Sequence, residues 1–344
     1  MTAQRRRKLR DEIVTLAHGA GGKASRDLVE GVFLEQFTGP PLDALGDSAV
    51  IDLGGSRLAF TTDSYVVTPI FFPGGSIGEL AVNGMVNDLA VAGARPRYLS
   101  AAFVIEEGFL IADLRRIAAD MAQAAQAADV VIATGDTKVV ERGKADGLYV
   151  NTAGVGEIVS GAALGPERVQ PGDHVLVSGT LGDHGMAVMI ARGGLELEAD
   201  LESDTAPLHE LTASLLGLGP AIRWMRDPTR GGLATALNEL AGRANVAVRL
   251  SEEALPLRHG VTGACEILGI DPLYVASEGR LVAVVAAEAA EAALARLRAH
   301  PLGADAADIG EIDAGPPGFV LLDTAFGGSR IVDVLVGDPL PRIC

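Results

Sequence analysis

Residues 110–138 read LIADLRRIAADMAQAAQAADVVIATGDTK, and the two parts of that stretch carry different periods. From Leu110 to Ala128 the apolar residues Leu110, Leu114, Ile117 and Met121 recur every three or four positions, which predicts an amphipathic helix packed on a core. From Val130 the pattern becomes a short apolar run, Val-Val-Ile-Ala, which predicts a buried strand ending in a Gly135-Asp136-Thr137-Lys138 turn. A helix that delivers the chain into a strand points to a mixed α/β protein.

The same pattern recurs upstream. Leu58–Ser64 (LAFTTDS) predicts a strand with Asp63 at its C-terminal end, where α/β folds gather site residues. Before it stands Gly46-Asp47-Ser48-Ala49-Val50. Residues 78–93 (GELAVNGMVNDLAVAG) have the helical spacing of Leu80, Met85 and Leu89, yet they also carry Asn83, Asn87 and Asp88. Asn is a poor helix former, so a polar face built from it has a task beyond solvation. Asp47, Asp63, Asp88 and Asp136 thus end separate elements. One such Asp is an ordinary turn former or cap; four suit Mg²⁺, which bridges carboxylates to phosphates. Residues 18–23, His-Gly-Ala-Gly-Gly-Lys, feed the periodic run Leu28, Val29, Val32, Phe33. A glycine loop opening a helix can cradle an anion, although the GxxxxGK[ST] spacing is missing. The chain has only four lysines, and two of them, Lys23 and Lys138, fall in these glycine- or aspartate-bearing stretches.

Downstream, residues 148–155 close the first half as a strand, and Gly- and Pro-bearing residues 160–173 predict a linker. The second half opens with a strand at His174–Gly179 and a turn around His184, which lacks any nucleophile motif and reads as a supporting residue. Arg226-Asp-Pro-Thr-Arg-Gly-Gly232 precedes a helix at Leu233–Ala244, as a cap or an anion site would. Glu278 stands before an apolar strand, Leu281–Val285, as a paired structural carboxylate or a general base. A helix at 287–298 and strands near 318–322 and 330–336 follow; Cys265 packs as a small hydrophobe. The chain ends Pro341-Arg342-Ile343-Cys344. Pro339 and Pro341 exclude a helix or a central strand, which leaves a frayed end or a semi-rigid arm bearing a thiol.

With 344 residues, one very large domain or two ordinary ones are expected. The formal charge of −17 argues against nucleic acid or an anionic membrane as partner. Two cysteines supply no disulfide framework, no apolar run reaches membrane-span length, and the basic residues 5–10 precede no signal-like segment. A cytoplasmic protein is the expectation.

Together, His18–Lys23, Gly46–Val50, Thr61-Thr-Asp63, Val86-Asn-Asp-Leu-Ala90, Thr134–Lys138 and Arg226–Gly232 resemble the PurM/AIR-synthetase-like ATP-binding superfamily. With Ser277-Glu-Gly-Arg280 and the Pro341–Cys344 ending, the chain closely resembles the HypE family of hydrogenase-maturation carbamoyl dehydratases, from about residue 13 onward. The resemblance implies an α/β (α+β) fold of two PurM-like domains. These are an ATP-binding domain at 13–158 and a C-terminal domain at 168–335, with a disordered basic tail at 1–12 and a mobile tail at 336–344. It implies a homodimer that pairs N-terminal sheets, with ATP between sheet and glycine loop.

It also implies the chemistry. Cys344 receives a carbamoyl group from the carbamoyltransferase HypF, and ATP drives its dehydration to a thiocyanate. The cyanide then passes to a HypC–HypD acceptor complex for the NiFe-hydrogenase iron centre. By resemblance, Asp47, Asp63, Asp88 and Asp136 hold Mg²⁺ and the triphosphate. Gly21, Gly22 and Lys23 close over the phosphates, with Asp63, Thr137 and Lys138 completing the nucleotide site. Lys138 and Glu278 polarise the thiocarboxamide and take its proton, and Asn83 orients it. Selenophosphate synthetase shares the ATP site but places its reactive Cys or selenocysteine in the glycine loop, where His18–Lys23 has none; thiamine-phosphate kinase and AIR synthetase share it too, yet need no cysteine-terminated arm. A non-catalytic scaffold would need no ATP.

Overall fold

Alternation builds the first sheet. In β2 (Ser56–Tyr65) the residues Ala59, Thr61 and Tyr65 are buried while Phe60, Thr62 and Ser64 are exposed. The computed structural model describes residues 11–19, 21–37, 39, 42, 46–193, 200–335, 337, 340 and 342–344. Among them β1 (Ala49–Leu53), β2, β5 (Ala94–Glu106), β6 (Val131–Val140) and β7 (Leu148–Ile158) form a sheet in the order β1-β2-β7-β5-β6. A short hairpin, β3 (Phe71–Phe72) with β4 (Gly75–Ser76), leads into the helix Ile77–Val91. Pairing is antiparallel except for β5 with β6. A parallel pair needs a crossover, and the helix Ile111–Ala127 supplies it, burying Ile117 and Met121.

The helix Ile77–Val91 is buried almost all round. One side packs on the sheet and the other faces the second half of the chain, so its asparagines meet protein rather than water. Ser76 caps it, its hydroxyl accepting from the Glu79 amide at 3.4 Å.

The second sheet contains β8 (His174–Val177), β9 (Ile222–Arg226), β10 (Ala247–Ser251), β11 (Val282–Val285), β12 (Ala307–Asp313), β13 (Val320–Asp323) and β14 (Ser329–Ile331). Its order is β14-β13-β10-β12-β8-β11-β9. The helix Gly232–Ala244 covers one face through Leu233, Leu237 and Leu240, beside Val175, Val248 and Val284. The helices His209–Leu216 and Ala290–Arg298 bury Leu176, Ala283 and Val285 on the other.

One sequence expectation is corrected here. The run from Val131 is not a buried strand that turns at Gly135. It continues as a strand to Val140, and every residue from Val131 to Val139 is exposed. The cause is position: β6 is an edge strand, hydrogen-bonded on one side only, and the sheet face away from the helices is uncovered. Strands β1, β3, β4, β5, β9, β10 and β12 and the helix His209–Leu216 were not foreseen from sequence. The strand expected at 330–336 is confined to Ser329–Ile331. The basic residues 5–10, Pro339 and Pro341 lie outside the described residues.

Candidate active site

Carboxylates from three elements meet where the two halves touch. Asp47, Asp88 and Asp227 each place an oxygen within 4.8 Å of the others. Asp47 precedes β1, Asp88 lies near the end of the helix Ile77–Val91, and Asp227 follows β9. Thr61 ties the first two together, its hydroxyl near both the Asp47 carbonyl (2.7 Å) and Asp88 Oδ2 (3.0 Å). Arg226 ion-pairs with Asp47 at 2.9 Å and with Glu239 at 2.5 Å. Burial and then the neighbouring charge of Asp227 hold the Asp88 carboxyl well above its usual range. Burial and the charge of Asp47 push Asp227 up to about 7. Like charges this close disfavour joint ionisation unless a cation offsets them.

Beside this cluster the glycine loop packs on the turn that carries Arg230. Gly21 has φ +78°, and a Cβ there would meet the Arg230 side chain at 3.0 Å. A Cβ on Gly22 would stand 2.5 Å from the Leu335 carbonyl oxygen. The Lys23 amide, opening the helix Lys23–Leu28, donates to that same oxygen at 3.2 Å. Arg230 donates to the Gly19 carbonyl at 3.3 Å and lies 3.7 Å from Asp63.

The chain terminus is docked inward. The Val66 amide donates to the Cys344 carbonyl at 3.1 Å, and the Thr68 amide to the Arg342 carbonyl at 3.3 Å. Arg192 donates to the carbonyls of Thr68 (2.7 Å) and Arg342. His184 Nε2 meets the Ile343 carbonyl at 3.0 Å while its Nδ1 faces the Ser203 hydroxyl at 2.7 Å. Burial depresses His184 to about 4, so the ring is neutral and donates from Nε2. Leu340 and Ile343 are buried, and Arg342 pairs with Asp146. Cys344 is half-buried and lines a cavity with Ser64, Val66, Arg230 and Gly231. Its charge is the leading influence that raises the Arg230 pKa.

Three polar side chains lie buried between the helix Ile77–Val91 and the second half of the chain. Asn83 is buried and donates to Thr205 Oγ1 at 3.2 Å, while its oxygen has no partner among the described residues. Asn87 donates to the carbonyls of Ala206 (3.1 Å) and Glu278 (2.9 Å) and accepts from the Leu208 amide (2.8 Å). Asparagine mid-helix is thus spent on joining the two halves. Glu278 is buried, and burial followed by the charges of Asp227 and Asp204 raises its pKa well above the carboxylate range. Tyr65 is buried as well.

The residues singled out from sequence divide into two sets. Asp47, Asp63, Asp88, Gly21, Gly22, Asn83, Glu278 and Cys344 come together, with Asp63 beside the carboxylate trio rather than within it. Asp136, Thr137 and Lys138 do not join them in one chain. Asp136 shares a cross-strand row with Ala102, Asn151 and Ser64, three strand spacings from β2, roughly 14 Å. It is exposed on the uncovered face and paired with Lys138 at 2.6 Å, whereas Asp63, one residue out of that row, points to the other face. Asp227, Tyr65, Arg230 and Arg192 were not assigned a role from sequence. Asp227 had a signal, an Asp in a cap-like turn before a helix, but only the fold brings it to Asp47. Among the described residues no helix is long and apolar enough to cross a membrane.

Comparison with known proteins identifies the family. Residues 45–158 match the AIR synthase related protein N-terminal domain, and residues 170–323 the corresponding C-terminal domain. The chain is 56% identical over 342 residues to the carbamoyl dehydratase HypE of Bradyrhizobium diazoefficiens, covering 99% of both chains. It is 46% identical to HypE of Escherichia coli K12, covering 96% of this chain and 99% of that one. A crystal structure of a HypE–HypF complex superposes with TM-score 0.85 at 47% identity, covering 90% of this chain and 99% of its counterpart. HypE in complex with ATP superposes at 0.81 with 48% identity, covering 96% and 100%. Thiamine monophosphate kinase from Aquifex aeolicus, at 21% identity and TM-score 0.61 and covering 80% of this chain and 91% of that one, shares the fold. The chain belongs to the AIR synthase related proteins and, within them, to the HypE carbamoyl dehydratase family.

Proposed function

We propose that this protein is an ATP-dependent dehydratase of the S-carbamoyl group on its own Cys344, forming a thiocyanate that supplies cyanide for NiFe-hydrogenase maturation. The observation that carries this reading is the inward docking of the cysteine-ended tail against the strand end of Asp63–Val66, beside the glycine loop and the carboxylate cluster. An enzyme acting on its own terminus needs that terminus delivered to the nucleotide. The ATP-bound and HypF-bound structures of relatives support ATP and a HypF-type carbamoyltransferase as partners. A HypC–HypD-type acceptor and a cytoplasmic setting are part of the same reading, the latter in keeping with two free cysteines.

The donor set suits a hard divalent cation: three carboxylates, no soft ligand, and mutual repulsion that such an ion relieves. We place Mg²⁺ at Asp47, Asp88 and Asp227, with Asp63 beside it. Bound there, it would neutralise triphosphate charge. The protein's own residues do the rest. Gly21, Gly22 and Lys23 offer backbone groups and a cation to the phosphates. Glu278, with its raised pKa, receives a proton from the carbamoyl nitrogen, and Asn83 orients that nitrogen.

We also propose a homodimer through the uncovered face of the first sheet. Phe60, Val155, Tyr98 and Val131 lie in one cross-strand row there, with Phe60 42%, Tyr98 57% and Val131 56% exposed. A row of that kind calls for a cover. Asp136, Thr137 and Lys138 would then act from the partner copy. The domain limits 13–158, 168–335 and 336–344 are retained as part of this proposal.

Intact-mass spectrometry tests the reaction. The chain is loaded by carbamoyltransferase with carbamoyl phosphate and ATP, freed of both, and given fresh ATP and Mg²⁺. The expected result is a carbamoyl gain on Cys344, then loss of one water that requires ATP. A loaded chain that never loses water under ATP refutes the reading, and a label on Cys265 refutes the site.

A further inference from the structure

Three buried polar atoms have no hydrogen-bond partner among the described residues: the Tyr65 hydroxyl, the Asn83 side-chain oxygen and Glu278 Oε1. Each such atom costs roughly 1–3 kcal/mol when left unpaired, so their retention calls for a ligand that completes them. Their positions are linked. A Cβ on Gly84 would stand 2.4 Å from Tyr65 Oη, so the hydroxyl lies against the helix one residue from Asn83. Asn87, one turn further along the same helix, holds the Glu278 carbonyl at 2.9 Å. Cys344 accepts its hydrogen bond from Val66, the residue next to Tyr65, at 3.1 Å. The charges of Glu278 and Cys344 are both felt at Tyr65.

An S-carbamoyl group offers two N–H donors and one carbonyl acceptor. Asn83 Oδ1 and Glu278 Oε1 are two acceptors, and the Tyr65 hydroxyl is a donor. We propose that Tyr65 is a further catalytic residue, whose hydroxyl donates to the carbamoyl oxygen on Cys344 while Asn83 and Glu278 receive the two N–H bonds. This rests on the dehydratase reading above. The carbamoyl oxygen bonds to the γ-phosphorus as the bond to the ADP oxygen breaks, and one N–H proton passes to Glu278. The product is an S-bound imidate phosphate. Its C–O bond then breaks with the electron pair leaving on phosphate, and the N–H pair completes the C≡N bond as that proton leaves with phosphate. Tyr65 keeps its proton throughout. Its hydrogen bond favours the departing oxygen, which gains negative charge in the second step.

The test is Y65F in the full chain. The ring that packs beside Gly84 is kept, and the atom removed has no hydrogen-bond partner among the described residues, so folding should be undisturbed. Expected are carbamoyl loading equal to wild type, unchanged ATP affinity by calorimetry, a melting temperature equal or higher, and ATP-dependent water loss slower by on the order of 100-fold. The carbamoyl form should then accumulate in mass spectra. Water loss at the wild-type rate overturns the proposal and leaves the dehydratase reading intact. Loss of fold or of ATP binding in Y65F also overturns it, because the hydroxyl would then be structural. Wild-type chain that binds ATP but never loses water overturns both.

Discussion

Replacing Arg192 with Met weighs the docking of the tail most directly. The guanidinium bonds the carbonyls of Thr68 (2.7 Å) and Arg342. Met keeps the aliphatic stem, and the Arg342 carbonyl retains the Thr68 amide at 3.3 Å, while the Thr68 carbonyl loses its Arg192 donor in the docked and the released state alike. The bond to Thr68 exists whether the tail is docked or released; the bond to Arg342 exists only when it is docked. The loss therefore falls on the docking equilibrium. A hydrogen bond from a charged donor contributes about 1.5–3 kcal/mol, or roughly 10- to 150-fold in the released population. Carboxypeptidase reads this population, because Ile343 is 4% exposed and the terminal carbonyl is bonded, so the protease must take a tail that has left. When reclosing outpaces cleavage, the rate follows the released fraction. Loss of Cys344 by mass should accelerate about 10- to 150-fold in R192M. The exposed pair Arg342–Asp146 provides the contrast: D146N should change release by less than about fivefold. Equal rates for wild type and R192M would refute the latch and leave docking to the burial of Ile343.

Asp227→Asn should weaken Mg²⁺-dependent ATP binding roughly tenfold or more by calorimetry, while raising the melting temperature of the metal-free chain, because one of three crowded carboxylates is gone. Gly22→Ala sets a methyl 2.5 Å from the Leu335 carbonyl oxygen and should cost about 1–3 kcal/mol in urea unfolding, with weaker ATP binding. Acid should release the tail through His184. Docked, its pKa is about 4 by burial; released to water it returns to about 6.5. The docked state then binds fewer protons, so docking is full above the higher value and is lost as pH falls through that window. At about pH 5 the penalty is at most roughly 2 kcal/mol, or about 30-fold in carboxypeptidase release after correction against a free peptide.

The sequence carried the elements that have strong local patterns. The helix expected at Leu110–Ala128 is present as Ile111–Ala127, and the one expected at 78–93 as Ile77–Val91. The unusual cost of asparagine within the latter correctly signalled work to be done, although Asn87 spends it on holding the second half of the chain. What stayed illegible was which face of a strand looks where. Asp63 and Asp136 have the same local surroundings in sequence, an apolar run and then hydroxyl-bearing neighbours. Strand order and register alone place them on opposite faces, three strands apart. His184 was equally opaque. Its task depends on a carbonyl at residue 343, and no local period reports a contact across that separation.

The same long-range assembly joins nucleotide loop and tail at two points. At the root of the tail, the Leu335 carbonyl accepts the Lys23 amide and leaves no room for a side chain on Gly22. At its tip, Arg230 faces the charge of Cys344 while its guanidinium holds the Gly19 carbonyl and approaches Asp63. A loop pinned at both ends by the tail is not free to close on phosphates independently of where the tail rests. Linkage then demands symmetry: whatever factor the docked tail adds to ATP affinity, ATP must add to docking. Carboxypeptidase release of Cys344 should therefore slow on adding ATP by the same factor that removing residues 336–344 lowers ATP affinity. No change in either measurement would show that loop and tail meet without being coupled.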